Sequence, residues 1–154
     1  MRFGICVSIE DIPAAAEAGF DYVELGSGPL FPAQDDASFE EFLRRVRAAP
    51  LPVEAFNCFL PGELRVTGPN ADLRALANHA RVVLGRAQRA GASVMVFGSG
   101  RSRRIESGEP ADRAWDQLAA AAAVATDAAG TCDMIVAMEP QAQPSCNFFT
   151  RVDQ

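Results

Sequence analysis

The stretch Asp133-Met134-Ile135-Val136-Ala137-Met138-Glu139-Pro140 decides how this chain is read. Met134 to Met138 is an apolar run of strand length, and Pro140 forbids its continuation into a central ladder because proline offers no N–H. The run ends on Glu139. A carboxylate at the C-terminal lip of a buried strand is costly to leave unpaired, so it implies a cation, a set of donors or a proton-transfer task.

Working outward, the same unit recurs along the chain. Met1 to Ser8 reads as a strand through Phe3, Ile5, Cys6 and Val7. Ile9 to Gly19 has helical spacing, with Pro13 tolerated in the first turn and Gly19 just past the end. Phe20 to Leu25 is a second strand, and a strand–helix–strand unit of this kind crosses over right-handed to give parallel pairing. Ser38 is the expected cap of a second helix, with Glu40 and Glu41 early, Arg44, Arg45 and Arg47 late, and Phe39, Phe42, Leu43 and Val46 as its apolar stripe. Val53 to Leu60 is a third strand, Asp72 to Ala90 a long third helix closed by Gly91, and Ser93 to Phe97 a fourth strand. Asp112 to Ala129 is an alanine-rich fourth helix that leads back to the opening stretch. Phe148-Phe149-Thr150-Arg151-Val152 reads as the start of a fifth helix.

Four βα units plus a fifth strand, without a separate antiparallel block, predict an α/β fold with parallel strands. Periodicity alone leaves an open doubly wound sheet and an incomplete TIM-type barrel almost level. The missing Gly-x-Gly-x-x-Gly after the first strand counts against a dinucleotide-binding sheet.

Composition narrows the chemistry. The 154 residues amount to one domain, fewer than the ~250 of a complete eight-stranded α/β barrel. If the sheet belongs to such a barrel, residues 1–154 are expected to be its N-terminal portion, truncated after the fifth strand. Hydrophobic residues make up 49% and charged residues 22%, and the net charge of −6 is spread along the chain, which argues against nucleic acid and anionic membranes as partners. The sequence has no lysine, so Schiff-base chemistry is excluded for this chain. Cys6, Cys58, Cys132 and Cys146 form no CxxC pair, and with no leader or apolar span in view they are expected to be reduced, mostly buried and cytoplasmic.

In a parallel α/β fold the chemistry gathers at the C-terminal ends of the strands. Those ends carry Ser8, Glu24, Asn57, Gly98 with Ser99, and Glu139. Glu24 has two open readings, a functional carboxylate or the cap of a neighbouring helix. Asn57 either holds a loop or contacts a ligand. The Gly98-Ser99-Gly100 turn with Arg101, Arg103 and Arg104 either grips a phosphate or is a solvated loop whose arginines pair with Glu106 and Glu109. His79 and Trp115 fall within helices and read as packing residues.

Several of these segments together resemble the sugar phosphate isomerase/epimerase family of xylose-isomerase-like barrels. They are Phe3-Gly4-Ile5-Cys6, Gly19-Phe20-Asp21-Tyr22-Val23-Glu24-Leu25, Glu54-Ala55-Phe56-Asn57-Cys58-Phe59-Leu60-Pro61, Val96-Phe97-Gly98-Ser99-Gly100 and Ala137-Met138-Glu139-Pro140. The resemblance implies a divalent cation (Mn, Mg, Co or Zn) with Glu139 as one ligand and one of two acid/base carboxylates. It implies a small sugar or keto-acid as substrate and proton transfer through an enediolate; Glu24, Asn57, Ser99 and Arg101 are the expected substrate contacts from their places at the strand ends and in the turn after the fourth strand. The family's remaining ligands, an Asp, a His and a second Glu, have no counterparts here, so the isolated chain is expected to be inactive. The segment Gln141-Ala142-Gln143-Pro144-Ser145-Cys146-Asn147 departs from the family's usual continuation. Two other readings stand beside the isomerase: a non-catalytic half-barrel that self-associates or binds a partner, and, disfavoured by the acidic charge, cleavage of damaged DNA.

Overall fold

A computed structural model describes residues 1–154. Five strands, β1 (Gly4–Cys6), β2 (Tyr22–Gly26), β3 (Val53–Asn57), β4 (Val94–Phe97) and β5 (Ile135–Met138), form one sheet. Every pairing is parallel and the spatial order follows the sequence order, β1-β2-β3-β4-β5. A doubly wound sheet reverses its winding at a switch point. This one never does, and right-handed crossovers in one direction put the helices on a single face. The architecture is α/β, an open sheet of the incomplete TIM-barrel type.

The helices are α1 (Ile12–Glu17), α2 (Asp36–Ala48), α3 (Leu73–Arg89) and α4 (Ala111–Gly130), with a 3-10 turn at Ile9–Asp11 before α1. Asp35, rather than Ser38, caps α2: its carboxylate accepts the Ser38 backbone N–H at 2.7 Å. Asp72 caps α3 in the same way through Ala75, at 2.9 Å. Both are N-cap aspartates bonding three residues ahead, where the helix leaves its N–H groups unpaired. The fifth helix expected at 148–152 does not form. Phe149 has φ of 53°, which a right-handed helix cannot contain, and the segment is irregular.

Burial alternates along the strands and gives each face its role. In β2 Val23 and Leu25 are buried while Tyr22 and Glu24 are half-buried; in β4 Met95 and Phe97 are buried while Val94 and Val96 are half-buried. Parallel register carries the alternation across: Phe97 lies beside Met138, Val96 beside Ala137, and Val94 beside Ile135. The buried set meets the helical layer, where Phe39, Leu43, Leu76, Leu84, Ala121 and Ala125 complete the core. The other set lines an inner face that no helix covers. Edge positions show the consequence: Phe3 before β1 is 59% exposed and Ile135 in β5 is 63% exposed. No helix is long and apolar enough to cross a membrane.

The cysteines are free, but only Cys146 is buried and Cys132 partly so; Cys6 and Cys58 are exposed. These two sit at the ends of β1 and β3, on the rim rather than in the core, which corrects the expectation of mostly buried thiols.

Candidate functional site

Register brings the strand ends together. Glu24 pairs with Ala55 and Gly26 with Asn57, so the inner-face positions of β2 and β3 end side by side. Glu139 follows Met138, whose partner is Phe97, so its backbone lies beside Gly98. The result is a cleft of about 360 Å³ whose lining includes Glu24, Asn57, Ser99, Arg101 and Glu139 together with Gly98, Ser102 and Gln141. All five residues singled out from the sequence stand around this one space. Ser8 does not join them, because its hydroxyl donates to Asp11 at 2.7 Å in the turn before α1.

Each side chain is held by a specific partner. Asn57 Nδ2 donates to Glu24 Oε1 at 2.6 Å and to Cys6 Sγ at 3.0 Å. Glu24 therefore caps no helix, and Asn57 anchors a side chain instead of the loop backbone. Though Cys6 is exposed as a residue, partial desolvation at the rim pushes its thiol up, so it stays protonated at neutral pH beside Asn57. Gln141 Nε2 donates to Glu139 Oε2. A Cβ at position 98 would collide with that carboxylate oxygen and lie 2.7 Å from Gln141 Nε2, so glycine here leaves the space the Glu139–Gln141 pair occupies. Ser99, at φ of 37°, accepts the Leu60 backbone N–H on its Oγ at 3.0 Å.

The loop after β4 does not make the arginine pairings with Glu106 and Glu109 that one reading of the sequence gave it. Arg103 is fully buried; its guanidinium donates to the Glu139 carbonyl at 2.6 Å and lies 5.1 Å from the Phe149 ring centre. Arg104 donates to the Pro144 carbonyl at 2.9 Å. Neither pairs with Glu106 or Glu109, and Glu109 instead accepts from the Glu106 backbone N–H at 3.1 Å. Ser102 gives its hydroxyl to Pro61. Of the three arginines only Arg101 lines the cleft. With Arg103 and Arg104 committed to backbone carbonyls, Arg101 is the one guanidinium of the turn that faces the cleft, while the Ser99 hydroxyl keeps its proton to donate.

Sequence reasoning did not single out Gln141, and it named Arg103 only as one of three arginines in the turn after the fourth strand. Gln141 had a signal, a polar amide two residues beyond the strand-end carboxylate. Arg103 had none that separates it from its neighbours, since only tertiary packing turns one arginine of the run inward. His79, read from the sequence as a helix residue rather than a ligand, lies on the buried face of α3. Its Nε2 lies 2.8 Å from the Phe59 carbonyl, which can only accept, so that nitrogen carries the proton.

A hard divalent cation takes about six or more oxygen ligands. This chain brings two carboxylates to the cleft, Glu139 and Glu24, each accepting from one neighbouring amide, Gln141 and Asn57. No group of three or more His, Cys, Asp or Glu side chains is placed to hold a metal ion. The donors fit one corner of a cation site and not a whole one.

Solved structures share the fold. The D-psicose 3-epimerase of Clostridium cellulolyticum H10, crystallised with D-tagatose, superposes with a TM-score of 0.73 at 15% identity, over 97% of this chain and 55% of its own. An AP endonuclease, family 2, from Brucella melitensis gives 0.71 at 20% identity, over 98% and 59%. The 3-keto-D-glucoside 4-epimerase of E. coli gives 0.68 at 16% identity, over 91% and 56%. The chain thus spans between half and three fifths of the length of these proteins, and at such identities the likeness is one of fold. No curated protein sequence matches it. Residues 12–154 match the family described as the xylose isomerase-like TIM barrel, which agrees with the unreversed parallel sheet and its polar rim; to that family this chain belongs.

Proposed function

We propose that this chain is part of a sugar or keto-acid isomerase or epimerase, with Glu139 as the proton-transferring carboxylate and Glu24, Asn57, Ser99 and Arg101 as substrate contacts. The observation that carries the reading is the placement of Glu139 at the C-terminal lip of β5, opening into the cleft those four residues line. Sugar epimerases among the structures of this fold support the substrate class.

The chemistry asks for a base beside a carbon-bound proton. Gln141 holds Oε2 of Glu139, which leaves Oε1 free of protein donors and available to the cleft. Glu139 would take the proton next to a carbonyl, the electron pair moving onto the carbonyl oxygen to give an enediolate. Return of a proton to the other carbon, or to the opposite face of the same one, completes isomerisation or epimerisation. The Asn57–Glu24 pair offers an amide and a carboxylate to substrate hydroxyls, and Arg101 adds a donor to the lining of the cleft. A divalent cation belongs to the proposal only as something Glu139 would help to hold, its other ligands coming from outside residues 1–154. On this reading those residues are the N-terminal portion of one barrel domain, inactive alone. Its setting is cytoplasmic, where the four free thiols would stay reduced.

The test is Glu139→Gln in the full-length polypeptide, read by NMR as loss of the carbon-bound proton of D-fructose or D-tagatose in D₂O. The amide is isosteric but cannot accept the proton, so exchange falls by about 10² to 10⁴-fold. Exchange that survives the substitution removes Glu139 from the mechanism.

A second reading draws on the uncovered inner face. Apolar side chains on an exposed edge strand, Ile135 above all, invite pairing with another chain, so a non-catalytic half-barrel that self-associates is the alternative.

A further inference from the structure

Arg103 lies outside the chemistry just described, yet it is the largest fully buried side chain in the protein. A buried guanidinium without a carboxylate partner is expensive, and it persists only where its donors meet other acceptors. Here Nη2 donates to the Glu139 carbonyl at 2.6 Å and Nη1 to the Phe149 carbonyl at 3.4 Å. The Phe149 ring lies under the guanidinium, and Trp115 of α4 packs on Phe148 and Phe149 with ring centres 4.4 and 5.9 Å apart. One rigid fork, seated on an aromatic stack, thus grips both ends of the loop that carries Glu139 and Gln141.

Neighbouring contacts join the same two loops. Asn147 exchanges two hydrogen bonds with the Ile105 backbone, at 3.1 and 2.8 Å. At Gly100 a Cβ would stand 2.9 Å from the Ser145 carbonyl oxygen, so the loops touch at backbone distance. The Glu139 N–H is held in the ladder by the Phe97 carbonyl at 3.3 Å, and among the contacts that join the two loops the Arg103 bond is the one that lands on the Glu139 carbonyl.

We propose that Arg103 is the positioning residue of Glu139: by fixing the carbonyl at the end of β5 it sets where the carboxylate stands in the cleft. The importance of that placement for catalysis rests on the reading of Glu139 as the proton-transferring group; the placement itself does not. Lysine cannot replace the fork, because its ammonium is a single point on a flexible stem, whereas the planar guanidinium presents two separate nitrogens to the two carbonyls.

The Gln141 side-chain amide reports the position of Glu139, since it donates to Oε2. In ¹⁵N spectra of the intact chain, assigned with Gln141→Leu, these NH₂ resonances should lie away from those of free glutamine. They should move to the free values in Arg103→Met and shift part of the way in Arg103→Lys. Arg104→Ala, which frees the same loop at Pro144, should leave them in place. A folded Arg103→Met or Arg103→Lys protein with unmoved Gln141 resonances overturns the proposal. If neither variant folds, the wild type decides. Arg103 Nη protons seen separately and exchanging slowly support the clamp, and averaged, solvent-exchanging ones refute it. Failure of the isomerase reading registers elsewhere, as proton exchange retained in Glu139→Gln with the Gln141 signature intact.

Discussion

Gly98→Ala separates the site from the fold. The backbone there has no left-handed φ, so the added methyl carries no conformational penalty; the objection to it is steric. It would overlap the Glu139 carboxylate and sit 2.7 Å from Gln141 Nε2, so the amide must yield by about 0.7 Å and the carboxylate by about 1 Å to regain ordinary contact. The bond between them is lost, at a cost of ~1 kcal/mol for a pair this exposed. Glycine-to-alanine replacement restricts the unfolded chain and returns ~0.4–1 kcal/mol. Net stability should therefore change by less than ~1 kcal/mol, a shift of about 2–4 °C at most in Tm for a chain this long. Catalysis should respond quite differently, since a displacement of ~1 Å costs about 10²-fold in rate. The assay is proton exchange from D-fructose in D₂O on the full-length polypeptide, run beside thermal unfolding. Gly85→Ala is the control: in mid-α3 its Cβ meets nothing within 4 Å, so it should stabilise and leave exchange alone. Unchanged exchange in a folded Gly98→Ala protein would refute the claim that this glycine exists to make room for the carboxylate.

Two further outcomes follow from the same coordinates. Burial holds the His79 pKa below the ordinary histidine value, so the unfolded chain takes up the proton first; stability is complete above about pH 6.5 and declines as pH falls below it, by at most ~1.4 kcal/mol per unit. As the only histidine in the sequence, His79 owns that slope, and His79→Gln should flatten urea-unfolding free energies between about pH 5 and 6.5. On the inner face, Ile135→Lys puts a charge on an edge strand at a residue already 63% exposed, so it should leave stability within ~0.5 kcal/mol while lowering any concentration-dependent association seen in sedimentation velocity. Association that persists unchanged would count against the self-associating half-barrel.

Helices and strands were legible because their signals are local. The stripe Phe39, Phe42, Leu43 and Val46 is an i, i+3, i+4, i+7 pattern, and all four residues are buried as it requires. Ser38 misled because two aspartates precede it, and Asp35 takes the capping position three residues before the amide it bonds. The aromatic pair Phe148-Phe149 was read as the start of a helix on its apolar character. Docking onto Trp115 instead demanded a left-handed residue, a tertiary reason no local pattern contains. At the rim, strand-end position sufficed to choose Glu24, Asn57, Ser99, Arg101 and Glu139, since parallel register gathers such positions whatever their partners. Which arginine of Arg101, Arg103 and Arg104 turns inward was beyond reach, because three similar side chains compete for one cavity whose walls come from residues 139–149.

The two faces of the sheet divide the work, and that division makes the predictions separable. A cluster of 31 buried residues supplies the burial that holds the fold, and the strand side chains in it are those turned toward the helices. The inner face holds the polar rim together with half-exposed Val94 and Val96, and truncating such partly exposed side chains forfeits far less buried area than truncating Leu84 or Phe97. Stability and site geometry are thus built from alternate residues of the same strands. Only where a buried group reaches across from the core to the rim do they meet, and Arg103 is that group. Its substitution is therefore the one change considered above that should disturb both at once, whereas Gly98→Ala should spare the fold and lose the chemistry.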